Sequence, residues 1–373
     1  MIDATLIPVL LGALWLAWSN GANDNFKGVA TLYGSGVLGY RAALILATAA
    51  TLAGSVVSVW LAQGLVLVFS GNGLITGALS PGMLAAIGLG AGATVWLATR
   101  LGMPTSTTHA LTGALVGAAL VANPEGVRWT VLADKFAQPL LLSPLLAIGL
   151  TLLLYPALSH ARRRLGIRAE SCLCVGEASE LSAGASALAM TAATPALAVG
   201  DMASCAQRYQ GRFAGIQAQT AANILHVLSA SSVCFARAVN DTPKIAALLL
   251  GAAALGGQAQ PAWVIVLIAL VMAAGGLVQS RRVAETLSRR ITEPSHGQGL
   301  TANLVTAGLV LGASHLGLPV STTHVATGAL FGIGIVNGKR DVRTIAHILL
   351  TWVVTLPMGL ALGAGLFALG GLA

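Results

Sequence analysis

Long apolar runs separated by short polar stretches dominate this chain. Residues 41–69, 82–99, 135–156, 261–280 and 344–370 each reach or exceed the ~18–20 residues that cross hydrocarbon as a helix. Runs of that length predict spanning helices rather than the shorter strands of a barrel. Two places break the pattern. The stretch "SNGANDNFKGVATLYGSG" (residues 19–36) holds Asn20, Asn23, Asp24, Asn25 and Lys27, and a second apolar segment carries Arg237, Asn240, Asp241 and Lys244. Irregular backbone at membrane depth survives only where it is buried in protein or lines a watery cavity. The first helix is therefore expected from about Ile7, with an interruption at 20–25 and a continuation toward Gly36. The second is expected from about Gln217, interrupted near 237–243 and resuming through Leu250, with Pro243 in the first turn of the resumed helix, where a missing N–H is harmless.

The chain repeats itself. "LGMPTSTTHALTGALVG" (101–117) and "LGLPVSTTHVATGALFG" (316–332) agree at 12 of 17 positions with an offset of 215. "ANDNFKGVA" (22–30) matches "VNDTPKIAA" (239–247) at an offset of 217, keeping Asn, Asp and Lys. Two halves follow, 1–156 and 217–373, joined by a polar linker at 157–216. Each half offers about five apolar segments, and an odd number of crossings inverts the second copy. Charge supports the inversion. The loop at 70–81 is uncharged, whereas the matching "SRRVAETLSRR" (280–290) carries four arginines, and positive loops stay inside. Threading from there leaves only Arg128 and Lys135 near the outside, with Lys27, Arg237 and Lys244 inside the bilayer. Both termini face out, and the linker, opening with "ARRRLGIR" (161–168), faces the cytoplasm. The expected fold is an all-α integral membrane protein of two inverted-topology repeats with broken or re-entrant helices and about 10–12 transmembrane segments. Met1–Ala17 lacks a basic start and a convincing cleavage site, so no signal peptide is expected, and a multi-pass cell (inner) membrane location is.

Composition agrees. Of 373 residues 56% are hydrophobic and only 9% charged, against about a quarter in soluble domains. The mean hydropathy is +0.82. The 45 glycines suit close helix contacts in lipid. A net charge of +8 is explained by topology, so no nucleic-acid partner is expected.

The buried polar residues carry the candidate chemistry. An ionisable side chain mid-helix costs at least about 2.5–3.5 kcal/mol on insertion scales. Asp24 and Asp241, Lys27 and Lys244, and Arg237 all bear that cost. Helical spacing lets Asp24 and Lys27 neutralise one another, but repetition of the pair in both halves points to a binding site. Two negatives and three positives favour an anion. The "STTH" copies point the same way. Pro104 and Pro319 would preset the first turn of helices continuing through Leu120 and Ile335. Ser106, Thr107, Thr108 and Ser321, Thr322, Thr323 would then offer hydroxyls beside unpaired N–H groups at the positive helix end. The alternative is N-capping alone.

These residues resemble the inorganic phosphate transporter (PiT) family, related to the animal sodium-phosphate cotransporters. "GAND" (21–24), "VND" (239–241) and the duplicated "P-x-STTH-x-x-TGAL" carry the resemblance, which spans both halves but not the linker. It implies a phosphate site built from Asn23, Asp24, Ser106, Thr107, Thr108, Asn240, Asp241, Ser321, Thr322 and Thr323. Lys27, Arg237 and Lys244 join this set from the charge reading. The family pattern has an asparagine where this chain has Lys27 and Lys244. An ammonium repels sodium, by about 4 kcal/mol at 4 Å and an effective dielectric near 20, so proton coupling is favoured over sodium. The lysines either ligate the oxyanion or carry the coupled proton, and Asp24, Asp241, Lys27 and Lys244 are the coupling-ion candidates. Arg237, opposite Asn20 in the repeat, either grips two oxyanion oxygens or snorkels or pairs with Asp241. His109 and His324 either relay protons or pack helices.

The expected function is secondary transport of inorganic phosphate. Unpaired carboxylates can accept the proton of phosphate, whereas extra lysines favour sulfate, so a sulfate or related oxyanion permease is the alternative, and an anion channel a weaker one. No nucleophile or metal set lies beside the cradle, and no "GxxxxGK[ST]" loop occurs, which argues against an enzyme and against an ATP-driven pump. No cofactor is expected, and the partners are phosphate or sulfate, a coupling proton or sodium, and membrane lipid; the oligomeric state stays open. Cys172, Cys174 and Cys205 fall in the linker, where cytoplasmic disulfides are rare and a Cys-x-Cys pair with one distant Cys is weak evidence for zinc. No metal is expected at the transport site.

Overall fold

The computed structural model describes residues 6–71, 73–77, 79–177, 195–209, 213–255, 263–292 and 294–370. The extreme termini and the middle of the linker lie outside these residues. In the first half the helices are α1 (Ile7–Asp24), α2 (Ala30–Gly34), α3 (Tyr40–Leu61), α4 (Gln63–Phe69), α5 (Pro81–Arg100), α6 (Thr107–Ala122), α7 (Trp129–Val131) and α8 (Gln138–Arg164). The linker folds as β1 (Cys172–Glu177), β2 (Pro195–Gly200), α9 (Met202–Arg208) and β3 (Phe213–Gln217). The second half contains α10 (Ala218–Leu255), α11 (Trp263–Gln279), α12 (Arg281–Glu285), α13 (His296–His315), α14 (Thr322–Asn337) and α15 (Val342–Leu369). Among the described residues five helices are long and apolar enough to cross a membrane, or six when α11 and its continuation, bent by 67°, are taken as one span. The helical core matches the expected class. The linker adds a three-stranded antiparallel sheet in the order β2-β1-β3, for which its polar sequence gave no sign.

Packing follows the internal repeat. α1 lies against α5 and α11, and its counterpart α10 lies against α13 and α3. Likewise α6 packs on α15 while α14 packs on α8. Each half therefore closes its core with helices of the other. Small residues permit the approach. A Cβ added at Gly117 of α6 would collide with the Leu360 carbonyl of α15, and one at Gly363 of α15 with the Ala114 carbonyl of α6.

The two "LG-x-P" turns have the same geometry. Gly102 and Gly317 take positive φ, +70° and +66°. The N–H of Met103 reaches the Ala98 carbonyl at 2.9 Å, and Leu318 reaches Ala313 at 2.9 Å, so both helices end in Schellman turns. An extended crossover follows, and the next helix begins at Thr107 or Thr322. Pro104 and Pro319 thus lie in the crossovers, outside the first helical turn where they were expected. Ser106 and Ser321 are the N-caps, accepting from the N–H of His109 at 3.1 Å and of His324 at 3.2 Å.

The expected interruption appears in one half only. α1 stops at Asp24 and the chain turns through residues 25–29 before α2. α10 instead runs unbroken from Ala218 to Leu255 with Pro243 in its interior. Proline removes one ladder donor, yet neighbouring helices in a membrane bundle can accommodate that loss. The residues after it are Lys244, Ile245 and alanines, whereas the first copy has Gly28 one residue after Lys27.

Candidate functional site

The end of α1, the middle of α10 and the two crossovers converge on one buried cluster. Asp24, Lys27, Arg237, Asp241 and Lys244 are all at most 4% exposed. Lys27 pairs with Asp24, and Lys244 Nζ lies 3.6 Å from Asp241 Oδ1. Because α1 ends at Asp24, Lys27 sits in the turn, its backbone N–H reaching the Asp24 carbonyl at 3.1 Å. Lys244 reaches the same environment from an intact helix.

Each lysine bridges the two halves. Lys27 donates to the Thr105 carbonyl at 3.2 Å in its own half and to the Thr323 hydroxyl in the other. Lys244 donates to the Val320 carbonyl at 2.9 Å in its own half and to the Thr108 hydroxyl of the other at 2.8 Å. Thr108 in turn donates to the Val320 carbonyl at 3.0 Å, and Thr323 to the Thr105 carbonyl. Thr105 and Val320, like Thr108 and Thr323, occupy matching places in the repeat. The duplicated motifs therefore make the same contacts with partners exchanged.

Asn20 stands at the centre. Its amide nitrogen lies 3.2 Å from Asp24 Oδ2, 3.2 Å from Asp241 Oδ2 and 2.9 Å from Thr107 Oγ1. Both carboxylates are thus held on either side of one amide group. Its oxygen accepts from Arg237 at 3.0 Å, and the same guanidinium donates to Thr51 Oγ1 at 2.7 Å. Arg237, only 1% exposed, does not snorkel, and among the described residues it forms no ion pair with Asp241.

Asn23 and Asn240 brace the crossovers. Asn23 donates to Thr99 Oγ1 at 2.9 Å and the Met103 carbonyl at 3.0 Å, and accepts from the Thr105 N–H at 3.0 Å. Asn240 accepts from Ser314 Oγ at 3.2 Å and donates to the Val320 carbonyl at 3.2 Å and to Asp241 Oδ1 at 2.9 Å. Ser106 also lies 2.8 Å from His109 Nδ1. His109 and His324 meet with ring centroids 4.5 Å apart, and His324 stacks on Trp352 at 3.8 Å. Thr322 is buried at the start of α14 beside Thr323.

Three contributors escaped the sequence reading. Thr51 holds Arg237 and Asn25 from α3, inside a run that reads as ordinary apolar helix, so nothing singled it out. Thr105 is the variable position of its motif, after Pro104, and acts through its carbonyl. Asn20 was visible as the repeat partner of Arg237, and that pairing was the signal to place it in the site.

Chemically, the cluster offers three cationic side chains, several hydroxyls and two helix starts around two carboxylates. The first N–H groups of α6 and α14 have no acceptor within their own helices. A tetrahedral oxyanion could exchange the lysine-to-threonine bonds for bonds to itself, while a carboxylate could accept a proton from it.

The profile of the phosphate transporter family matches residues 20–363. An Arabidopsis thaliana protein named "Inorganic phosphate transporter 2-1, chloroplastic" is 30% identical over 415 residues, covering 95% of this chain and 70% of the relative. A Thermococcus kodakarensis relative bearing a phosphate permease name is 32% identical over 152 residues, which span 38% of this chain and 37% of its own length. Among solved structures, "The sodium-dependent phosphate transporter" superposes with a TM-score of 0.77 at 20% identity, covering 99% of this chain and all of that one. At that identity the likeness concerns the fold.

Proposed function

The chain belongs to the phosphate transporter family, a family of multi-pass membrane carriers rather than enzymes, and on that premise we propose that it carries inorganic phosphate through the buried cluster by alternating access, coupled to protons rather than sodium. The observation that carries the reading is the reciprocal lysine bridge: Lys27 of the first half on Thr323, and Lys244 of the second on Thr108. A substrate that takes over those bonds loosens one half from the other, which is what a carrier needs at the moment it changes its open side. Helix packing exchanged between the halves supports inverted repeats, and with the positive loops inside it supports outward termini and a cytoplasmic linker.

Asn23, Asp24, Lys27, Ser106, Thr107, Thr108, Arg237, Asn240, Asp241, Lys244, Ser321, Thr322 and Thr323 form the proposed substrate site, and Asn20 joins them. Asp24 and Asp241, held around Asn20, are placed to take up the coupled proton or that of monobasic phosphate. Two tethered ammoniums and a guanidinium already balance these carboxylates, so a bound sodium ion would face net repulsion. The solved neighbour is sodium-dependent by name, and this chain is proposed to differ because its own side chains supply the cations. Radiolabelled phosphate uptake into proteoliposomes with an imposed pH gradient and no sodium is the test. Uptake that follows the gradient supports the reading, and a strict sodium requirement refutes it. One observation favours a second substrate: the cluster holds one more cation than carboxylate, which suits the dianion sulfate. Unlabelled sulfate at equal concentration should compete weakly; full competition would make sulfate the better assignment.

A further inference from the structure

Away from the transport site, the linker gathers four sulfur atoms. Cys172 and Cys174 are two residues apart on β1 and therefore share one face, the face that α9 covers with Cys205. All three cysteines are at most 2% exposed, and their sulfurs lie within 4.8 Å of one another. Cys174 and Cys205 are joined as a disulfide in this structure, against the expectation of free linker thiols. Cys172 is a free thiol whose Sγ is 3.1 Å from Cys174 Sγ and 3.3 Å from the thioether sulfur of Met202.

A disulfide explains two of these sulfurs and leaves two without a role. The strands have also made room for them. Cys172 pairs across the sheet with Gly200 and Cys174 with Gly215, so neither has a side chain beside it on that side. A Cβ at Gly215 would come within 2.9 Å of Cys172 Sγ. Among the described residues the rest of this small core is Ala198 and Tyr209, with Ala196 and Phe213 packed against it. A unit of this size needs a covalent or metal staple to hold its shape.

From this geometry we infer that Cys172, Cys174, Cys205 and Met202 form a binding site for a single Cu(I) ion. The inference is independent of the transport reading but uses the same sidedness. With "ARRR" near its start, the linker reads as lying on the cytoplasmic side, where disulfides are kept reduced. There a dithiol gives two electrons and two protons to the Cys174–Cys205 bond and is itself oxidised to a disulfide, leaving three thiols in contact. On binding, each thiol releases its proton to solvent and the metal takes the place of the lost staple. Metal–thiolate bonds of about 2.3 Å set sulfurs roughly 3.8 Å apart in a tetrahedral site, so Cys172 needs to part only slightly from Cys174 and Met202, while Cys174 and Cys205, once reduced, must separate by about 2 Å. The donor set is sulfur throughout. Three thiolates alone would also serve zinc, but a thioether fourth ligand selects the softer Cu(I).

The full-length protein in detergent, reduced with a dithiol and then freed of it anaerobically, should take one equivalent of Cu(I) from a competing colorimetric chelator. X-ray absorption should show sulfur neighbours only. Cys172→Ser, which spares both disulfide cysteines, should lower the affinity at least about 100-fold. Cys234→Ser, in α10, should leave it unchanged. Met202→Leu, a conservative change at an exposed position, should weaken Cu(I) several-fold without weakening Zn(II). The proposal is overturned if the dithiol cannot open Cys174–Cys205 in the folded protein, if the reduced protein takes up no Cu(I), or if Met202→Leu leaves Cu(I) affinity unaltered.

Discussion

One Asn-Asp-x-x-Lys sequence occurs twice here, in a broken helix in the first half and in a continuous one in the second. At the break, Phe26 stacks on Tyr40 at 5.2 Å and meets Tyr33 edge-on at 5.7 Å, while Gly28 lets the turn press against Ala230 and Cys234 of α10. The second copy has Pro243 and Ile245 at those places and stays helical. Lys27 and Lys244 nonetheless reach equivalent acceptors. Backbone form and side-chain placement are therefore separable: the motif specifies where the ammonium goes, and its flanking residues decide how the chain gets there. The ion pairs reflect the same asymmetry. Lys27 in the turn is in close contact with Asp24, whereas Lys244 on the continuous helix stands 3.6 Å from Asp241.

The largest expected effect comes from those pairs. Removing one partner of a buried pair leaves a charge uncompensated and costs about 3–5 kcal/mol. Asp24→Asn should reach that range, and Asp241→Asn should fall below it because its pair is looser. Thermal unfolding of both variants in detergent checks this, and equal losses would break the comparison. Next in size is Pro243→Ala. Proline inside a helix costs about 3 kcal/mol, so alanine should raise the melting temperature by a part of that. Gly28→Ala acts in the opposite direction at the equivalent turn. Its Cβ would collide with Cys234 Sγ and the Ala230 carbonyl. Overpacking of that kind costs about 1–3 kcal/mol.

Much of this asymmetry could not be read from the sequence. Duplication of "STTH" and of Asn-Asp-x-x-Lys announced two halves and named most of the polar cluster, because buried ionisable residues are too costly in lipid to recur without a use. The continuity of α10 was hidden, since a proline after an Asn-Asp pair reads equally as a helix start or as a tolerated interior residue. Ser106 and Ser321, members of the proposed site, also cap their helices, a role that depends on where the helix begins rather than on residue type. Thr51 was invisible in an apolar run. In the linker, the spacing of Cys172, Cys174 and Cys205 gave no hint that a sheet and a helix would bring them together.

The smallest effect concerns helix starts. α15 is capped by Asp341, whereas its counterpart, which runs on from α7 at Trp129 into α8, has no side-chain cap at Arg128. The Thr344 hydroxyl, at 2.8 Å, and then the Thr344 N–H hold the Asp341 carboxyl below its usual range. A folded-state pKa below the unfolded value means that the cap contributes fully above about pH 4 and fades as pH falls through the lower folded value. Asp341→Asn should therefore lower the melting temperature slightly at neutral pH, and the difference from the parent protein should shrink in acid.

The two ammoniums are the heart of the account, because they are proposed to do for the carboxylates what a bound sodium ion would otherwise do. The direct measurement is phosphate uptake into proteoliposomes as sodium is titrated, for the parent chain and for Lys27→Asn and Lys244→Asn. The parent should show no response to sodium, and each variant should lose uptake without sodium and recover part of it as sodium is added. A parent chain that is itself driven by sodium, or variants that stay indifferent to it, would contradict the account.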